Sequence, residues 1–251
     1  AGNGGNITLY GPSVKVDADL VAHGGSIQLG NVLEQISNNY LKDTTYIKPP
    51  ADGRATVVLA GGARLDTSGL WANVLKNPLD AGGLAYRNGG SVSVRSTGDV
   101  VLGSGSLVDV SSGAGLLAKA KQQGGKGGSV TLEADGFNSG NGHVVLDGAA
   151  LRGHGVDGGG TLTVQANRIA VGDTSGAVLA DMLMLGADFF DKGFSRYALI
   201  GNHGLTVADG AQIDVTMPVL RFGANAQDVA TGGKPADALE AWTPPLYQED
   251  A

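Results

Sequence analysis

No cysteine occurs anywhere in the chain of 251 residues, which excludes disulfides and thiolate metal sites. Charge is scarce: Asp, Glu, Lys and Arg make up 16% of the sequence, where about a quarter is usual. Aromatics are sparse as well. Low charge with plentiful Val, Ile and Leu argues against a disordered chain. The formal net charge of −7 comes with no basic stripe, which argues against nucleic acid as a partner, since phosphate neutralisation supplies most of that affinity. Long apolar runs are missing too. The longest, "AVLADMLMLGADFF" from Ala177 to Phe190, is too short for a membrane span and carries Asp181 and Asp188. The chain opens at Ala1 inside a repeat pattern, without Met or signal peptide, and reads as a mature piece or a fragment.

Glycine is what the chain has in excess. There are 43 glycines, about 17% against a usual 7% or so. They do not fall at every third position, which excludes collagen. Instead they punctuate a repeat. One unit starts with two glycines: "GGNITL" at Gly4, "GGSIQL" at Gly24, "GGSVSV" at Gly89, "GGSVTL" at Gly127 and "GGTLTV" at Gly159. A second unit is "GARLDTS" at Gly62, "GSLVDVS" at Gly105 and "GAQIDVT" at Gly210, with a degraded copy, "GAALRGH", at Gly148.

Each unit supplies apolar residues at i and i+2, such as Ile7/Leu9, Val92/Val94, Val100/Leu102, Val108/Val110, Leu205/Val207 and Ile213/Val215. Period-two alternation puts each pair on one face of a strand. No strand is long enough to bury that face alone, but stacked copies can. The spacing predicts an all-β, right-handed parallel β-helix of about three short strands per coil and five to six coils. An antiparallel sandwich or barrel is the alternative, since it too has short strands at close intervals.

The predicted repeat domain covers 1–219, with insertions near 31–52, 70–88, 116–126 and 174–196. Within the first, Val32, Leu33, Ile36, Tyr40 and Leu41 suggest a one-sided helix. The apolar residues of the last, including Phe189, Phe190 and Phe194, are expected to shield the coil rather than to bind. The tail, 220–251, loses the repeat. It suggests a short helix from Ala236 to Trp242, with Trp242, Leu246 and Tyr247 folding back over the last coil to protect its edge.

Chemistry is hard to find. Asp66, Asp109 and Asp214 occupy one place in the repeat, and Arg152 takes it in the degraded copy. Alternation points them outward, so they are expected to be solvated teeth, with Asp66 and Asp109 in neighbouring coils. Two stacked carboxylates could bind Ca²⁺ or act as a glycosidase pair, but that pair needs one shielded carboxyl. His23, His143, His154 and His203 each adjoin a glycine and show no metal-ligand spacing. No phosphate loop and no GxSxG elbow occurs. No catalytic, cofactor or metal residue is expected.

The cadence of "GGSVTL" at Gly127 and "GDVVLGSGSLVDVSSGAG" from Gly98 resembles that of the filamentous-haemagglutinin-like exoproteins of bacterial two-partner secretion. The similarity covers roughly 4–219, and "ALEAWTPPLY" from Ala238 resembles the segment that closes the haemagglutinin-type region in some members. The secretion domain expected at a mature N-terminus is not recognisable, and the chain is far shorter than is usual. The resemblance implies export by an outer-membrane transporter and residence outside a Gram-negative cell or on its surface. It also implies a role in adhesion, biofilm-matrix binding or contact-dependent competition. The expected function is a non-enzymatic scaffold or adhesin segment whose partners are that transporter and host-cell or matrix glycans or further copies of the chain. The alternatives are a self-assembling filament subunit and a polysaccharide-cleaving β-helix enzyme.

Overall fold

Short alternating segments bury a face only by pairing with a like segment, and this chain pairs them in parallel. A computed structural model describes residues 3–36, 42–48, 54–136, 142–172, 179, 181–215 and 219–243. The first sheet holds six strands: Asn6–Tyr10, Ser26–Gly30, Ser91–Arg95, Ser129–Glu133, Gly160–Ala166 and Phe194–Gly201. A second sheet stacks Ser13–Val16, Thr56–Leu59, Asp99–Leu102 and Val144–Val145. A third stacks Leu20–Val21, Arg64–Asp66, Leu107–Asp109 and Ala150–Arg152. The chain visits the three sheets in rotation, and every neighbouring pair in them is parallel. The molecule is therefore all-β with parallel sheets, and the antiparallel sandwich is overturned.

Register turns the repeats into columns. Ile7, Ile27, Val92, Val130, Leu162 and Tyr197 stand in line across the first sheet, as do Leu9, Leu29, Val94, Leu132, Val164 and Leu199. Val14, Val57, Val100 and Val144 do the same in the second, and Leu20, Leu65, Val108 and Leu151 in the third. The interior members of these columns form one continuous core. The outermost strands behave differently. Leu9 is 40% exposed, and in a further strand, Leu205–Val207, at the edge beside Arg168–Val171, Leu205 is 44% and Val207 49% exposed, because an edge strand is covered on one side only. Ile213 and Val215, expected to form a further inward pair, are exposed and lie outside any strand.

The second glycine of each doublet has a steric reason. A Cβ on Gly25, Gly90, Gly128 or Gly160 would fall about 2 Å or less from the carbonyl oxygen of Gly5, Gly25, Gly90 or Gly128 respectively. Only a residue with no side chain lets one circuit lie that close on the next.

The interruptions add structure of their own. Val32–Ile36 and Lys42–Tyr46 pair antiparallel, so the expected helix in 31–52 is wrong; Tyr40 and Leu41 lie outside the described residues. Val32, Ile36, Thr44, Thr45 and Tyr46 are β-branched or aromatic, and such residues favour strands. The interruptions near 70–88 and 116–126 meet: Trp71–Asn73 pairs in parallel with Ala114–Leu116, which turns back antiparallel into Gln122–Gly124. Within 174–196, Met182–Leu185 lies parallel to Arg168–Val171, and Phe189, Phe190 and Phe194 are buried around Tyr197. The sixth strand of the first sheet, Phe194–Gly201, begins inside that interruption.

The tail departs most from expectation. Among its described residues only Pro235–Ala238 is helical, and Leu239–Trp242 is a strand antiparallel to Val219–Phe222. Pro235 suits the first helical turn, but a partner strand claims the residues that follow it. The tail packs on the flank, with Leu220, Phe222, Ala238 and Leu239 against Trp71, Ala114, Leu116 and Val156. It is held there rather than over Leu205–Val207; Leu246 and Tyr247 lie outside the described residues. Trp71 Nε1 donates to Val229 O at 3.0 Å, and Asn73 Nδ2 donates to Gln227 O and Val229 O at 3.0 and 2.8 Å. Asn73 N donates to Thr231 Oγ1 at 2.6 Å.

Three substitutions test these contacts. Gly128→Ala should lower stability by at least about 2 kcal/mol through overpacking against backbone. Gly82→Ala, where a Cβ meets nothing within 4 Å, should stay within about 0.5 kcal/mol of the parent in urea denaturation. Asn73→Ala leaves Gln227 O without its donor and Val229 O with Trp71 Nε1 alone, at a cost of about 1–3 kcal/mol. Limited proteolysis should then cut within 219–243 before it cuts the sheets.

Candidate functional site

The repeated acids come first. Register places Asp66 beside Asp109 and Asp109 beside Arg152, while Leu65, Val108 and Val110 on either side point into the core. The stacking and the outward direction match expectation, but Asp66 and Asp109 are only partly exposed rather than fully solvated. Asp66 keeps only 13% of its side chain exposed. Its Oδ1 accepts from Ser68 N at 2.9 Å and Ser68 Oγ at 2.6 Å, and Asp109 Oδ1 accepts from Ser111 N at 2.9 Å. Each carboxylate closes a turn two residues ahead, as an aspartate at a chain corner readily does. Asp214 is not in the column; it lies outside any strand and accepts from Gln212 Nε2 at 2.7 Å.

Basic groups border the pair. Arg64 Nη2 is 3.5 Å from Asp66 Oδ2, and His23 Nδ1 is 3.8 Å from Asp66 Oδ1. The acids of the column are thus not free of basic neighbours, as a polysaccharide-cleaving enzyme would also require. A second knot has the same character. Asp99 Oδ1 accepts from Arg54 Nη2 at 2.9 Å and from His143 N at 2.9 Å, with the His143 ring at 3.1 Å. The histidines do not converge. His23 and His143 serve separate corners, and His203 Nδ1 bonds Asn167 Oδ1. Among the described residues, no three His, Asp or Glu side chains gather as a metal site. No helix among them is long and apolar enough to cross a membrane.

His154 lies behind the Asp109–Arg152 step, and its ring packs against the backbone of Gly193. Burial pushes its imidazole below the ordinary histidine value. Asp109 raises it, Arg152 lowers it and Asp191 raises it, all to a lesser degree. The folded state thus favours neutral His154.

Sequence reasoning missed a groove on the flank. It holds about 430 Å³ and runs between the strand Gln122–Gly124, the turn at Val156 and Asp157, and the tail hairpin. Half-buried Val156, Leu220, Phe222 and Trp242 form its apolar wall. The Arg221 guanidinium sits 5.6 Å from the centre of the Trp242 ring, and its Nε donates to Glu240 Oε1 at 2.7 Å. These residues come from three separate stretches of the chain, and no local motif joins them.

Comparisons with protein-family models, with curated proteins and with solved structures find no match.

One pH effect follows from His154. Its depressed value means its contribution to stability is complete above the unfolded value of about 6.5 and is lost as pH falls below it. The melting temperature should drop between about pH 7.5 and about pH 5, and the drop should be smaller in His154→Gln. Equal drops in both proteins would show that His154 carries no such linkage.

Proposed function

We propose that the chain is a segment of a right-handed parallel β-helix from a secreted bacterial exoprotein of the filamentous-haemagglutinin-like kind. In this reading it is a non-enzymatic scaffold that presents its flank and its interruptions for attachment to cells or matrix. One observation carries the reading: three parallel sheets visited in rotation, with their apolar columns in register over the repeats that bear the resemblance. A stack of this kind is stiff along its axis, because every circuit is bonded to the next by a ladder of backbone hydrogen bonds. It therefore suits a stalk. The non-enzymatic reading rests on how the acids are used. Asp66, Asp99 and Asp109 are all engaged by turn amides or cations, whereas a glycosidase needs one carboxyl kept protonated by shielding.

Export by an outer-membrane transporter belongs to the same proposal and supplies its test. In the native bacterium, the chain should appear in the medium or on the outer surface, protected from added protease only when the cognate transporter is deleted. Bacteria lacking the chain should attach less well to cells or matrix. Accumulation in the cytoplasm with the transporter intact would overturn the reading, as would turnover of a polysaccharide by the purified protein.

A further inference from the structure

We infer that the groove between Gln122–Gly124, the Val156–Asp157 turn and the tail hairpin is a binding site for a short neutral saccharide; this deepens the scaffold reading by placing its attachment chemistry. The volume of about 430 Å³ lies within the range of small-ligand clefts. The walls are of two kinds, as a sugar requires. Phe222, Trp242, Leu220 and Val156 offer an apolar surface for the C–H face of a ring.

Around them stand polar groups with bonding capacity to spare. Among the described residues, the Asp157 carboxylate and the Gln122 amide have no hydrogen-bond partner, while both border the groove. Arg221 spends Nε on Glu240 and is held over Trp242, which leaves its two terminal amino groups for a ligand. Carboxylate, amide and guanidinium together match the hydroxyls of a sugar, which both donate and accept.

The site is built rather than incidental. Gly124 makes room for the acid, since a Cβ there would lie 2.2 Å from Asp157 Oδ1 and 2.7 Å from Val156 Cγ1. The opposite wall is fixed by the bond from Leu220 N to Gly155 O at 3.0 Å. The hydrogen bonding also selects against an extended peptide. A peptide would add to a strand edge through backbone groups, but Gly124 O is taken by Arg87 Nε, Gly125 O by Asp157 N, and Leu220 N by Gly155 O. Anionic sugars are disfavoured as well, because Arg221 is already neutralised by Glu240 and Asp157 carries an uncompensated negative charge.

The test uses the whole chain with four neutral disaccharides, lactose, cellobiose, maltose and N,N′-diacetylchitobiose, and with a sulfated disaccharide and a lysine-containing peptide as competitors. Binding is followed by saturation-transfer NMR and by tryptophan fluorescence; of the two tryptophans, Trp71 is buried and Trp242 borders the groove. At least one sugar should bind saturably. Its affinity should fall by at least about tenfold in Asp157→Asn and in Trp242→Ala. Gln122→Ala, on an exposed rim position, serves as the variant that leaves the tail packing untouched, and it should weaken the same sugar. Three outcomes would overturn the inference: no sugar binds, binding survives all three substitutions, or a sulfated disaccharide or a lysine-containing peptide binds the groove in preference. Each would leave export and surface attachment, measured in the bacterium, to stand or fall separately.

Discussion

Close contact between successive circuits is the constraint on which everything else in this molecule depends. Parallel strands stack at about 4.8 Å, and at the start of four of the six first-sheet strands that spacing leaves no room for a β-carbon. Gly25, Gly90, Gly128 and Gly160 each lie against the carbonyl of the glycine one circuit earlier. The same spacing puts Ile27 on Val92 and Val92 on Val130, so the apolar columns and the glycine corners arise from one geometric cause. Where the stacking ends, burial ends with it, and Leu9, Leu205 and Val207 stand half-exposed at the edges.

Polar groups are subordinate to this geometry. Asp66 and Asp109 are drawn together by register although both carry negative charge, a cost that cross-strand like charges ordinarily bring. Hydrogen bonds from Ser68 and Ser111 and the neighbouring Arg64 and Arg152 offset it. Arg95 and Glu133 resolve the same problem on the first sheet as a pair across adjacent strands, at 2.6 Å. Asp66 and Asp109 thus each help to build the corner that follows them. The groove owes its existence to a different interaction: Trp71 and Asn73 leave the stack and bind the tail through three carbonyl contacts, which carries Arg221 and Trp242 to the flank.

Much of the fold could be read from the sequence because its cause is local. Two glycines followed by apolar residues at i and i+2 announce a strand that must stack, and five such units became five strands of one sheet. The sixth strand was hidden. "FSRYALIG" from Phe194 lacks the doublet and puts Tyr197 in an inward place, a choice that works only because Phe189, Phe190 and Phe194 pack around that ring. The hairpin at Val32–Ile36 and Lys42–Tyr46 was mistaken for a helix because short apolar runs fit either period, and the pairing that decided it was not visible. The groove residues could not be found at all, since Gln122, Asp157 and Trp242 have no common pattern.

The sequence by itself therefore determined the repeat, the inward faces of its strands and the need for glycine at its corners, because each depends on residues close together in the chain. Tertiary structure alone decided where the interruptions and the tail come to rest. Trp71 and Val229 are far apart in sequence and meet because the indole N–H finds a carbonyl there and its ring meets Phe222. No local preference of either segment specifies that meeting; only the packed flank does.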